Sequence, residues 1–203
     1  MKTKLIVAAL ASAFAFGTAF AANTTGISDS EYKAQKKALD DNYKSAKERC
    51  KGMTGNAKDI CQAEVKGEHE VAEKELTAAH KPTEKNQYDA RVAKADATYK
   101  VAKEKCDDRK GNDKDVCVKE AKANYAKAKG DAKVAKTVQK EANNPSVAAS
   151  GVSKTPEKVA DAKRDAIDDN KDAQYKVAKE KCDAMSGQAK DNCVAQAKLK
   201  FGK

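Results

Sequence analysis

Apolar residues in this chain recur in alternating steps of four and three, and such stretches come in pairs. Tyr88, Val92, Ala95, Tyr99, Ala102 and Cys106 form the cleanest stripe. That spacing keeps every member on one face of a helix, as in the seam of a coiled-coil-like pair. Tyr32, Leu39, Tyr43, Ala46 and Cys50 form a similar stripe upstream. Partners follow each of them: Ile60, Val65, Ala72, Leu76 and Ala79 after the upstream stripe, and Val118, Ala121, Tyr125, Ala128, Ala132, Ala135 and Ala142 after the other. A short Gly-containing stretch separates the members of each pair, so the pattern predicts antiparallel helical hairpins.

The hairpins are copies of one unit. YKVAKEKCDDRKGNDKDVCVKEAK (Tyr99 to Lys122) recurs as YKSAKERCKGMTGNAKDICQAEVK (Tyr43 to Lys66) and YKVAKEKCDAMSGQAKDNCVAQAK (Tyr175 to Lys198). Each copy opens on Tyr-Lys, places a Gly five residues after its first Cys, and sets Lys-Asp ahead of its second Cys. Gly111 suits a left-handed position at the end of the first helix, with Asn112 capping the next helix and Asp115 in its first turn. Asn56 and Asp59 repeat that arrangement, and Gln188 is a poorer cap. The first helix is expected to begin at Ser28, with Ser28, Ser30 and Glu31 supplying cap and early negative charge. Pro82 breaks the second helix, Thr83 caps the third, and Thr155-Pro156-Glu157 starts the fifth with Pro in a favoured first-turn place.

The upstream half of the third unit departs from the pattern. Arg164, Asp168 and Lys171 stand where Tyr88, Val92 and Ala95 stand in the second unit. Together with the Pro/Gly/Ser-rich linker from Asn143 to Pro156, this predicts a partly independent and less well packed third hairpin.

The unit contains all six cysteines. Three identical local spacings select Cys50–Cys61, Cys106–Cys117 and Cys182–Cys193, one near each bend. Two competing readings are weaker. A zinc site would want closer Cys pairs and His partners, whereas the only histidines are His69 and His80, both in the first unit. Redox chemistry favours Cys-x-x-Cys. Tyr43, Tyr99 and Tyr175 sit two turns before each first Cys, which places them in the seam; stacking on nucleic-acid bases is the sharper alternative for them.

Composition changes the picture in one respect. Charged residues make up 35% of the chain and aromatics 5%, there is no Trp, and three of the four Phe lie in the first twenty residues. The core can only be a thin Ala/Val/Tyr seam, and the abundance of Ala, Lys and Glu favours helix over disorder. The expected fold is therefore all-α: three disulfide-clasped antiparallel hairpins, about six helices, extended or loosely bundled, after a cleaved signal peptide. Residues 1–21 are the expected leader: Lys2 and Lys4, an apolar run from Leu5 to Phe16, and Ala19-Phe20-Ala21 at the cleavage point. That run is short for a membrane span, so no transmembrane segment is expected in the mature chain. The units then run 22–81, 82–142 and, past a linker at 143–156, 157–203.

The formal net charge of +10 favours acidic partners, although 41 basic residues interspersed with 31 acidic ones also describe a solvated helical surface. Runs such as AKANYAKAKGDAKVAKTVQK are similar to nucleic-acid-binding tails, but export makes nucleic acid an unexpected physiological partner. Asp168, Asn170 and Asp172 start like a calcium loop, but Ala173 replaces its Gly and Lys179 its bidentate Glu. No nucleophile–base pair or phosphate loop is visible, so neither catalytic residues, a cofactor nor a metal site is expected.

The leader, the Y-K-x-A-K-E-[KR]-C repeats with their Gly and K-D-x-C, and the AKLKFGK end resemble a group of small Ala/Lys-rich periplasmic proteins of proteobacteria. These are often labelled TolA-like or cell-envelope biogenesis proteins. The resemblance implies a periplasmic envelope component. The cationic helix faces are expected to bind anionic envelope material, lipopolysaccharide or peptidoglycan, or envelope proteins, in a structural or stress role, and exposed Ala seams allow self-association. A holdase chaperone resembling Skp is the alternative.

Overall fold

The computed structural model describes residues 26–144 and 155–203. The leader expected at 1–21 and most of the linker expected at 143–156 lie outside them. Six helices make up the described residues, with no strand among them: α1 (Asp29–Lys51), α2 (Gly55–His80), α3 (Glu84–Cys106), α4 (Gly111–Ala142), α5 (Thr155–Cys182) and α6 (Gly187–Phe201). The fold is the expected one, three hairpins α1–α2, α3–α4 and α5–α6, each clasped by a disulfide. The bonds are Cys50–Cys61, Cys106–Cys117 and Cys182–Cys193, with Cα atoms 5.7, 5.6 and 5.7 Å apart. Cys50, Cys106 and Cys182 are the largest fully buried side chains.

Local chemistry sets the helix ends. Ser28 forms a full capping box with Glu31, and the Thr83 hydroxyl accepts from the Asn86 amide. The bends are made differently from expectation. Gly55, Gly111 and Gly187 do take positive φ, at 56°, 53° and 56°, but each is the first residue of the returning helix rather than a C′ residue of the helix before. The residues ahead of them, Thr54, Lys110 and Ser186, make no side-chain cap bond. With the bend closed by a left-handed glycine, Asn56 is released from capping its own helix. Its amide instead donates to the Glu104 carbonyl at the end of α3, 2.8 Å away. That bond ties the bend of the first hairpin to the second.

Chain order is also packing order: each helix packs chiefly on its neighbours in sequence, giving a single-file antiparallel array. The two interfaces between hairpins, α2 on α3 and α4 on α5, are more extensive than any interface within a hairpin. Both rest on a glycine. A Cβ on Gly67 would stand 2.8 Å from the Ala97 Cβ, and one on Gly130 would stand 2.9 Å from that of Ala166. Only a residue without a side chain allows backbones to cross this closely. Ion pairs flank the crossings: Lys105–Glu64 at 2.9 Å and Lys100–Glu70 at 2.8 Å on the first, Lys181–Glu120 at 2.7 Å on the second.

The third hairpin has the least extensive seam of the three, as expected, but it is packed against the second rather than standing apart from it. α5 lies along α4, with Ala162 and Val177 buried, while Arg164, Asp168 and Lys171 point to solvent. The seam expected at those positions is missing for a geometric reason. α6 spans only 15 residues against 28 in α5, so the upstream half of α5 has α4 as its partner instead. At the far end of this interface Glu141, 3% exposed, is neutralised by Lys158 at 2.9 Å.

Candidate anion-binding groove

The tyrosines flagged by the repeat lie in the seams, each against a ring from the opposite helix. Tyr43 stacks on His69 with centroids 4.4 Å apart, Tyr99 stacks on Tyr125 at 5.1 Å, and Tyr175 meets Phe201 edge-on at 6.4 Å. The partners occupy equivalent places in the three units, 56 and 76 residues apart, and an aspartate stands three residues before each tyrosine: Asp40, Asp96 and Asp172. Asp40 meets His69 Nε2 at 3.0 Å, Asp96 accepts from the Tyr125 hydroxyl, and Asp172 pairs with Lys203. The bond to Asp96, helped by partial burial, pushes the Tyr125 hydroxyl up to about 12, so it remains a neutral donor. These rings lock helix to helix. Base-stacking is not what they are placed for.

Chemistry directed outward collects where α4 and α5 lie side by side. A cavity of about 680 Å³ opens there, with Tyr88 of α3 at its edge. Its floor includes Ala126, Gly130 and Ala173, so its depth comes from the same small residues that let the helices approach. Its walls carry Lys119, Lys122, Lys129 and Lys133 of α4 and Lys176 of α5, facing only two carboxylates, Asp169 and Asp172. Lys133 is held by Asp165 at 2.9 Å, and Lys119 by Glu180 at 3.6 Å. The bond to Asp165 holds the Lys133 ammonium above its ordinary range. The bond to Lys203 holds Asp172 below the ordinary carboxylate range. Lys122, Lys129 and Lys176 have no carboxylate within 4 Å among the described residues; Lys129 sits 5.2 Å from the Tyr125 ring centroid. Beside them, Lys136 lies 4.7 Å from the centroid of Tyr88.

Five ammoniums against two carboxylates in a concave site attract anions more strongly than the same charges spread over a convex helix, because the walls focus the field. Lysine presents a mobile point charge rather than the fixed fork of arginine. Such a set suits flexible, multivalent anions better than a single small ligand with defined geometry. The lysines were visible in the sequence as runs, but not as a site, since Lys122 and Lys129 meet Lys176 only through the α4–α5 interface.

A second groove, about 520 Å³, runs between α2 and α3 with an apolar floor of Val71, Ala72, Ala97, Val101 and Ala102. Its rim mixes Glu64, Glu68 and Glu75 with Lys94 and Lys105, so it has no dominant sign. Among the described residues no helix is long and apolar enough to cross a membrane. Compared with protein-family models, with curated proteins and with solved structures, the chain matches none.

Proposed function

We propose that this chain is an exported, non-enzymatic helical protein of the periplasm that binds anionic envelope material, with the groove between α4 and α5 as its principal contact. One observation carries the reading: Lys122, Lys129 and Lys176 converge on one concave surface, where five lysines face two aspartates and these three form no ion pair within 4 Å among the described residues. Three disulfides on a thin core fit maturation in an oxidising compartment. A basic leader at 1–21 fits the same route. In that compartment the abundant multivalent anions are the phosphates of lipopolysaccharide and the carboxylates of peptidoglycan. Recognition by exposed lysines is long-ranged and screened over roughly 8 Å at physiological salt, so binding should be sensitive to ionic strength.

The test compares the wild-type chain with a variant carrying Lys122→Glu, Lys129→Glu and Lys176→Glu, titrated with lipopolysaccharide micelles and with purified peptidoglycan. A second variant reverses Lys33, Lys74 and Lys163, which are exposed and outside the groove. Reversal in the groove should cost about tenfold or more in affinity, equivalent to about 1.4 kcal/mol. Reversal elsewhere should cost clearly less. Equal losses in the two variants would return the lysines to the status of a solvated surface. In that event, suppression of outer-membrane-protein aggregation by either variant would favour the Skp-like holdase.

A further inference from the structure

The first hairpin holds a set of side chains that the other two lack. His69 of α2 lies between two carboxylates, with its Nε2 3.0 Å from Asp40 Oδ1 of α1 and its Nδ1 3.9 Å from Glu73 Oε2 one turn along α2. One ligand atom from each of the three falls within 4.8 Å of the others. The imidazole is only 15% exposed, and its face is covered by the Tyr43 ring. The opposite oxygen of Glu73, Oε1, accepts from Lys36 at 2.5 Å, which orients the carboxylate and leaves Oε2 turned toward His69.

The geometry points to a divalent transition-metal site, with zinc as the fitting ion, formed by His69, Asp40 and Glu73. Imidazole with two carboxylates is a donor set that zinc accepts, at bond lengths of about 2.0 to 2.2 Å. Tetrahedral coordination at those lengths places ligand atoms roughly 3.3 Å apart, and since one ring nitrogen binds the ion, the carboxylate now facing the other nitrogen turns toward the ion. Two of the ligands sit one turn apart on one helix and the third comes across the hairpin, so the ion would bridge α1 to α2 and keep a fourth position for water. A metal takes the lone pair of one ring nitrogen of the neutral imidazole, and the single N–H is then carried by the other nitrogen, so the ring keeps its proton.

Comparison within the chain sets this position apart. In the second hairpin the equivalent residues are Asp96, Tyr125 and Lys129, where a phenol replaces the imidazole and an ammonium replaces the second carboxylate. In the third hairpin Phe201 stands at the imidazole position. One scaffold thus presents a ligand set once and an aromatic lock twice. The only other histidine, His80, has Asp29 Oδ1 at 3.2 Å from Nε2 and the Ile27 carbonyl at 3.0 Å from Nδ1, and belongs to no such cluster among the described residues.

The experiment titrates the full disulfide-bonded chain with zinc chloride by calorimetry, and with cobalt(II) by absorption spectroscopy. One saturable equivalent per chain is expected, along with a cobalt spectrum of imidazole–carboxylate type and a raised unfolding temperature in zinc. His69→Gln should abolish the equivalent and the temperature shift. Glu73→Gln, which keeps the hydrogen-bonding shape, should weaken affinity about tenfold or more, and His80→Gln should leave it unchanged. The absence of a saturable equivalent, or one that survives both His69→Gln and Glu73→Gln, would overturn the site.

Discussion

The seams within hairpins and the junctions between them solve one problem by different chemistry. Each hairpin is closed by a buried disulfide near its bend and a ring pair farther along, both of which can be spotted as rare residues in an Ala/Lys-rich chain. Each junction is closed by Gly67 against Ala97 or Gly130 against Ala166, with lysine–glutamate pairs on either side. The junctions are nevertheless the more extensive interfaces. The difference shows that the conspicuous residues fix the hairpins, while inconspicuous small ones build the array. The lysine groove likewise exists only at a junction, where α4 and α5 lie together.

The largest effect is expected from breaking a clasp. Replacing Cys106 and Cys117 together with Ser should cost about 3 kcal/mol, the loop-closure value for a bridge of this span, and should be read by denaturant unfolding. Its signature is loss confined to the α3–α4 seam. Breaking a junction comes next. Gly130→Leu drives a side chain into Ala166 and should cost about 2 kcal/mol, in the range for overpacking. Unlike the Cys replacement, it should leave all three disulfides intact and detach the third hairpin, seen as a separate early phase in thermal unfolding.

The smallest change sharpens the comparison at one ring. Tyr125→Phe keeps the stack on Tyr99 but deletes the hydroxyl that donates to Asp96, for a loss of about 1 to 2 kcal/mol. Because the folded state raises that hydroxyl from its ordinary value of 10.0 to about 12, its contribution is complete below pH 10 and is lost as pH rises toward 12. The wild-type chain should therefore show an alkaline loss of stability in this window that is smaller in the Phe variant. Identical alkaline profiles would remove the hydroxyl from the account.

Much of this architecture was legible in the sequence. The three-four spacing announced the hairpins, Ser28 and Thr83 announced helix starts, and equal Cys spacings announced the clasps. The junctions were hidden because a glycine inside a helical pattern reads as a weakness of about 1 kcal/mol rather than as a crossing point. α5 was misjudged for a related reason: Ala162, Ala166, Ala173 and Val177 form a second stripe facing backward in the chain, and alanine is too common here to stand out. Asn56 looked like a cap for its own helix, and only the folded chain shows it bonded to the end of α3. The ring partners His69, Tyr125 and Phe201 could have been found, since shifting the sequence by its own repeat lengths aligns them.

The account's central claim is that anion binding depends on a groove built by the α4–α5 junction, not on net charge. The most direct measurement is the affinity of Gly130→Leu for lipopolysaccharide micelles, at a temperature where circular dichroism shows its helices retained. This variant keeps every lysine, so the account predicts weakening comparable to that of the triple lysine reversal in the groove. Wild-type affinity in Gly130→Leu would contradict it.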